Sequence, residues 1–246
     1  MKFSTTKMLA VAAFTAVPML ASAQLTANVS VTTNYKFRGQ DQDIIGSNGA
    51  LKTTGLKPAL QGGFDYAFAN GFYVGNWNSS VNWLQGNSIE MDFYGGYKGE
   101  IAKDFGYDVG VLTYQYPGNK TGETTEIYGG LTYGPFSAKY SHTVSKDYFA
   151  YGALAGVKGR GTGYINLAYA QEIAKGLTLK ASIGKTNLKS GINAAGIPDF
   201  IDYSVGVAYD LGNGLSVGAA AVGATKKSSY PEVNDTRLVV SLTKSM

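Results

Sequence analysis

Charged side chains recur along this chain at alternate positions, and that spacing is the first thing that bears on chemistry. Glu90 and Asp92 lie two apart, on one face of any extended segment, as a general acid and base would. Lys36, Arg38, Lys98, Lys139, Lys180 and Arg237 fall on the same face of their segments as Asp65, Glu90, Asp92, Asp108, Glu126 and Asp202. Cations and carboxylates so matched in number pair across strands in the polar interior of a barrel, whereas acid–base work needs a substrate pocket. His142 is the one histidine and there is no cysteine, so metal centres built on several His or Cys ligands are excluded. A serine nucleophile needs a histidine on its own face. The nearest downstream serine, Ser145, follows Thr143 and Val144 and falls on the opposite face of the strand from His142, which reads as a rim residue. Gly159-Arg160-Gly161-Thr162-Gly163 lacks the Lys-Ser/Thr of a phosphate loop and a following helix, so it is a flexible loop. No catalytic residue, metal or cofactor follows from the sequence, and the expectation is a protein that is not an enzyme.

The elements that would position these charges are strands. Val29, Val31, Thr33, Tyr35 and Phe37 alternate with Ser30, Thr32, Asn34, Lys36 and Arg38. The same period recurs from Leu60 to Phe68, from Ile89 to Lys98 and from Ile201 to Tyr209. Residues i and i+4 match but i+3 does not, which rejects a helix. Twelve strands are predicted, near 25–38, 59–69, 72–83, 89–99, 106–116, 125–133, 136–144, 163–172, 177–188, 201–210, 214–224 and 236–246. Short connections at 70–71, 100–105, 134–135, 174–176 and 211–213 alternate with long ones at 40–58, 117–124, 145–162, 189–200 and 225–235; only 84–88 breaks the contrast. Segments of about ten residues joined in this way are the layout of an all-β, transmembrane, antiparallel up-and-down β-barrel. A soluble exported sandwich would alternate too. Against it stand the uniform strand length and the aromatics at strand ends: Tyr35, Phe37, Phe72, Tyr97, Tyr107, Tyr116, Tyr133, Phe136, Tyr203 and Tyr209.

The first 23 residues set the compartment. Lys2 and Lys7 precede an apolar run from Met8 to Leu20, and Ala21-Ser22-Ala23 offers a cleavage site before Gln24. This is the three-part pattern of a signal peptide, leaving residues 24–246 as one barrel domain. Charged residues are only 15% of the chain, Gly (33) and Tyr (18) are abundant, and no disulfide is available. The formal charge of +4 falls to +2 once Lys2 and Lys7 are removed, too little for a nucleic-acid partner. An exported chain of this kind belongs in the cell outer membrane, with lipid, the barrel assembly machinery and small hydrophilic solutes as its partners. Leu238, Val240 and Leu242 alternate toward the terminal Met246, where such barrels usually place an aromatic residue.

Thr33-Asn34-Tyr35-Lys36-Phe37-Arg38-Gly39-Gln40 resembles the N-terminal signature of the TorF-type porins of proteobacteria, an aromatic-rich strand running into Phe-Arg-Gly and a Gln. The block from Asn70 to Val81 is similar to that family's Gly-Phe-Tyr-x-Gly-x-Trp hairpin, and Glu90 to Tyr97 to its next strand. The resemblance covers the first hundred residues; Asp41 stands where a small residue such as Ser is more usual. It implies an outer-membrane barrel of the porin kind, and neither a substrate nor catalytic residues.

Two functions remain. One is a channel for passive diffusion of small hydrophilic solutes, lined by Lys36, Arg38, Asp65, Glu90, Asp92, Lys98, Asp108, Glu126, Lys139, Lys180, Asp202 and Arg237. In that reading the 145–162 loop, with Tyr148, Phe149, Tyr151, Lys158 and Arg160, folds inward as a constriction, and Arg38 pairs with Asp65 or Asp235. The alternative is a structural or adhesive barrel plugged by its own side chains, with no transport.

Overall fold

The computed structural model describes residues 23–46, 49, 50 and 55–246; residues 1–22 of the expected signal peptide lie outside the described residues. The strands, in chain order, begin with β1 (Gln24–Thr32), β2 (Lys36–Phe37), β3 (Gln40–Asp41), β4 (Ala59–Ala67) and β5 (Phe72–Ser80). They continue with β6 (Ile89–Ala102), β7 (Phe105–Gln115), β8 (Thr124–Tyr133), β9 (Phe136–Thr143) and β10 (Gly163–Ala174). The last are β11 (Leu177–Asn187), β12 (Phe200–Gly212), β13 (Leu215–Ala224) and β14 (Arg237–Ser245). All except β2 and β3 form one closed antiparallel barrel in which each strand pairs with its neighbours in the chain. The ring is completed by β1, which pairs with both β4 and β14. Closure leaves no unpaired edge, as lipid requires.

The wall strands follow the predicted segments closely. Tight turns join them at the end where both termini lie, called here the turn end; long loops crown the other, the loop end. Val29, Val31, Phe64, Val74, Val111, Ile127, Leu167, Ile183, Val205 and Leu242 lie exposed on the outer face. An apolar outside wrapped around a polar inside inverts the arrangement of a soluble sandwich and suits a bilayer. At the turn end, ring pairs Tyr66–Phe68, Phe72–Tyr97, Tyr97–Tyr107, Phe105–Tyr133 and Phe136–Tyr169, with centroids 4.8–6.2 Å apart, form a belt over β4–β10. Such belts mark a membrane–water boundary.

One segment departs from the prediction. The first wall strand ends at Thr32, not Arg38. Thr32 Oγ1 donates to Asn34 O at 3.0 Å, Asn34 bridges to Lys57, and the chain leaves the wall for the interior as the small hairpin β2–β3. Tyr35 and Phe37, expected in an outer aromatic girdle, therefore point inside. Tyr116, expected there too, is fully buried at the top of β7.

Candidate functional site

The hairpin is the centre of the site. Its turn, Arg38-Gly39, has φ of +47° and +74°, the left-handed pair that a two-residue hairpin connection demands. Gly39 is required twice over. Besides its φ, a Cβ there would lie 2.5 Å from Gly223 O and 2.8 Å from Asp202 Cβ, so the turn sits directly against β12 and β13. Arg38 is the less comfortable residue, since a bulky side chain at positive φ is strained and persists only when its surroundings hold it.

What holds it lies on the far side of the ring from β1. Arg38 Nη1 and Nη2 donate to Glu126 Oε1 and Oε2 of β8 at 2.9 and 2.7 Å. The geometry is the bidentate fork that arginine makes with a carboxylate. Nη1 also donates to Tyr148 Oη at 2.9 Å, and the guanidinium carbon stands 4.1 Å over the Tyr164 ring. The two side chains are 6% and 1% exposed. Burial opposes the charge on Arg38, but Glu126 beside it prevails and holds the guanidinium above its ordinary range. The partner is thus Glu126, and neither Asp65 nor Asp235; Asp65 accepts instead from Tyr94 Oη at 2.5 Å.

The base of the hairpin is tied to the barrel seam. Asp41, 1% exposed, receives Lys36 at 3.1 Å, Lys57 at 3.2 Å and Arg237 of β14 at 2.6 Å. Gln40 Nε2 donates to Asn234 Oδ1, and Asp41 N to Val233 O, both at 2.9 Å. Around the hairpin runs an apolar core: Phe37 packs on Tyr114 and Phe149, and Tyr148, Leu188 and Ile192 complete it. The 145–162 loop does fold inward through Tyr148 and Phe149, while Lys158 and Arg160 stay exposed. Across the same space, Tyr35 Oη donates to Glu90 Oε1 at 3.2 Å.

Burial pushes the Lys36 ammonium down to about 8, against the pull of Asp41. The sign follows from linkage. The unfolded chain binds this proton more tightly than the folded one, so stability rises as pH climbs through 8 toward the ordinary lysine value. Wild type should therefore gain stability between pH 7 and 9.5, relative to Lys36→Met, in denaturant unfolding of refolded protein. Parallel pH profiles for the two proteins would show that Lys36 keeps an ordinary proton affinity.

The remaining residues of the predicted lining are brought to one surface. Asp65, Glu90, Asp92, Lys98, Asp108, Glu126, Lys139, Lys180, Asp202 and Arg237 alternate with exposed apolar residues and so occupy the inner face of the wall. Lys36 and Arg38 were expected on a wall strand and stand on the hairpin instead. Lys98 is directly opposite Asp108, which accepts from Tyr73 Oη at 2.6 Å, and Lys139 lies 3.7 Å over the Tyr128 ring. Trp77, Tyr114, Tyr148 and Tyr164 belong to the site as well. Their in-phase positions on strands signalled Trp77, Tyr114 and Tyr164, while nothing in the sequence placed Tyr148 beside Arg38. His142 sits on the outer face, 3.3 Å from Tyr140 Oη, and Ser145 donates to Asp147 O at 2.7 Å, so the two form no nucleophile pair. Among the described residues no three His, Cys, Asp or Glu side chains lie together as a metal site would require.

Residues 18–245 match the model of a family described as "Bacterial protein of unknown function (Gcw_chp)". No curated protein matches the sequence. Among solved structures, the KdgM porin in complex with disordered oligogalacturonate superposes with a TM-score of 0.56 at 11% identity, covering 91% of this chain and 99% of that one. The NanC porin in its rhombohedral crystal form gives 0.57 at 10% identity, covering 89% and 98%. At such identities the likeness is one of fold, a porin-like barrel.

Proposed function

We propose that this chain, which belongs to the Gcw_chp family of bacterial proteins, is an outer-membrane channel for small hydrophilic solutes, narrowed at its loop end by its own first hairpin. The observation that carries the reading is an inner face that holds the charged side chains of the wall behind an apolar exterior, as the wall of an aqueous path would. The signal-peptide pattern of residues 1–23 supplies the export route, with lipid and the barrel assembly machinery as the implied partners. The likeness of the first hundred residues to TorF-type porins supports the same assignment. Its Phe-Arg-Gly signature coincides with the turn of the hairpin.

A second reading is favoured by the packing of that hairpin, namely a plugged structural or adhesive barrel. One experiment separates them. Refolded protein should migrate differently on denaturing gels before and after boiling, and in planar bilayers it should give discrete conductance steps. A heat-modifiable barrel that stays silent in bilayers, even with the hairpin freed by Arg38→Gln and Glu126→Gln together, would leave the plugged barrel standing.

A further inference from the structure

The two sides of the barrel interior differ. On β5–β8 the inner face carries Trp77, Tyr94, Tyr114 and Tyr128; Asp65, Glu90 and Asp108 accept from tyrosines there, while Asp92 Oδ1 is buried without a hydrogen-bond partner. On β11–β14 it carries small residues such as Ser182, Gly206, Ala220 and Ser241. The side chains inside the ring are therefore bulkier along β5–β8 than along β11–β14. The hairpin caps this side from above, because Gly39 rests on β12 and β13.

One charged side chain rises from the middle of the small-residue wall. Lys180 of β11 is flanked in register by Ala170 and Gly206, and among the described residues it makes no hydrogen bond or ion pair. Other charges near this level are engaged. Lys98 stands 5.5 Å from the Tyr73 ring centroid, Asp65 accepts from Tyr94, and Lys139 covers Tyr128. At the turn-end rim, Glu172 and Asp210 accept from the backbone N–H groups of Gly176 and Gly212. Higher up, Glu90 is fully buried beneath Tyr35, Asp92 is also buried, Asp202 accepts from Tyr164, and Arg38 is locked to Glu126.

From this arrangement we infer that solutes travel along the β11–β14 side and that Lys180 sets their charge preference, in favour of small anions. The inference rests on the channel reading above and deepens it. A fixed unit charge beside a narrow path attracts ions of opposite sign and repels its own, and small neighbours let the ammonium reach the passing ion. Chloride, and small carboxylates or phosphates of similar size, are the class that gains. Arg38, spent on Glu126, contributes little field of its own.

The test measures reversal potentials in planar bilayers under a potassium chloride gradient, with wild type, Lys180→Gln, Lys180→Glu and Lys185→Gln. Each is made also in the Arg38→Gln/Glu126→Gln background, which removes the pair without leaving a net charge. Wild type should prefer chloride. Lys180→Gln should lower the chloride-to-potassium permeability ratio about 25-fold, because one unit charge at close range in water favours chloride about fivefold and disfavours potassium by about as much, and Lys180→Glu should invert it. Lys185 lies on the same strand but the outer face, opposite Ile201, so its change should leave the ratio alone. Conducting protein whose ratio ignores Lys180 removes the assignment and leaves the channel reading intact. Absence of conductance in every variant, including those with the freed hairpin, removes the channel reading and the assignment with it.

Discussion

Glu126→Ala is expected to free the loop end of the barrel. It leaves the Arg38 guanidinium buried and unpaired at the tip of a hairpin that this contact fastens to the opposite wall. Breaking one partner of a buried pair costs about 3–5 kcal/mol, because the other charge keeps its desolvation penalty with nothing to offset it. The strain of arginine at positive φ, of order 1–3 kcal/mol, then also goes uncompensated. The cheapest relaxation is for β2–β3 to swing out, carrying Arg38 to water. Single-channel conductance should rise severalfold and the 33–43 segment should become open to protease, while the wall strands keep their pairing. Arg38→Gln combined with Glu126→Gln should cost less stability than Glu126→Ala yet release the hairpin as well. Unchanged conductance together with unchanged proteolysis in Glu126→Ala would mean that the apolar contacts of Phe37 with Tyr114 and Phe149 hold the hairpin unaided.

The second large effect belongs to the outside of the barrel. Val207 on β12 is 40% exposed on the outer face, between Leu179 and Ala219 in register, whereas Ser204 faces inward. Val207→Arg near the midplane should destabilise the refolded protein by about 2–4 kcal/mol, and Ser204→Arg by far less, because only the first puts a cation in hydrocarbon. Denaturant unfolding from lipid vesicles measures both. Equal losses would mean that this face of β12 does not meet lipid.

Most of the wall was legible in the sequence, for a physical reason. A closed sheet between two solvents imposes period two on every strand, and the tight turns must fall where the sheet reverses. The register of Asp65, Lys139 and Lys180 follows from that constraint alone. The first strand shows where it stops working. Tyr35 and Phe37 keep the phase of Val29 and Val31, so alternation runs unbroken past Thr32 although the chain has left the wall. An apolar face satisfied by lipid and one satisfied by a plug leave the same pattern. Only Arg38-Gly39, an uncomfortable residue beside a permissive one, marks a turn, and it reads equally well as the end of a long strand. The partnership of Arg38 with Glu126 was beyond reach because it depends on the width of the closed ring. Asp65 and Asp235 were candidates by nearness in the sheet, and nearness was the wrong criterion for a side chain that crosses the interior.

The carboxylate of Asp41 gathers cations from both extremes of the chain: Lys36 and Lys57 flank the beginning of the sheet, and Arg237 opens its final strand. No two of the twelve strands are farther apart in sequence than β1 and β14, so their meeting closes the longest loop that the fold contains and carries the heaviest entropic cost of any pairing. The buried cluster cannot assemble in an open sheet, since one of its members is absent until the ring shuts. Asp41 thus works as a clasp. It adds nothing to the growth of the sheet and takes hold only once the two ends of the polypeptide have found each other, which puts its contribution on the rate of reopening.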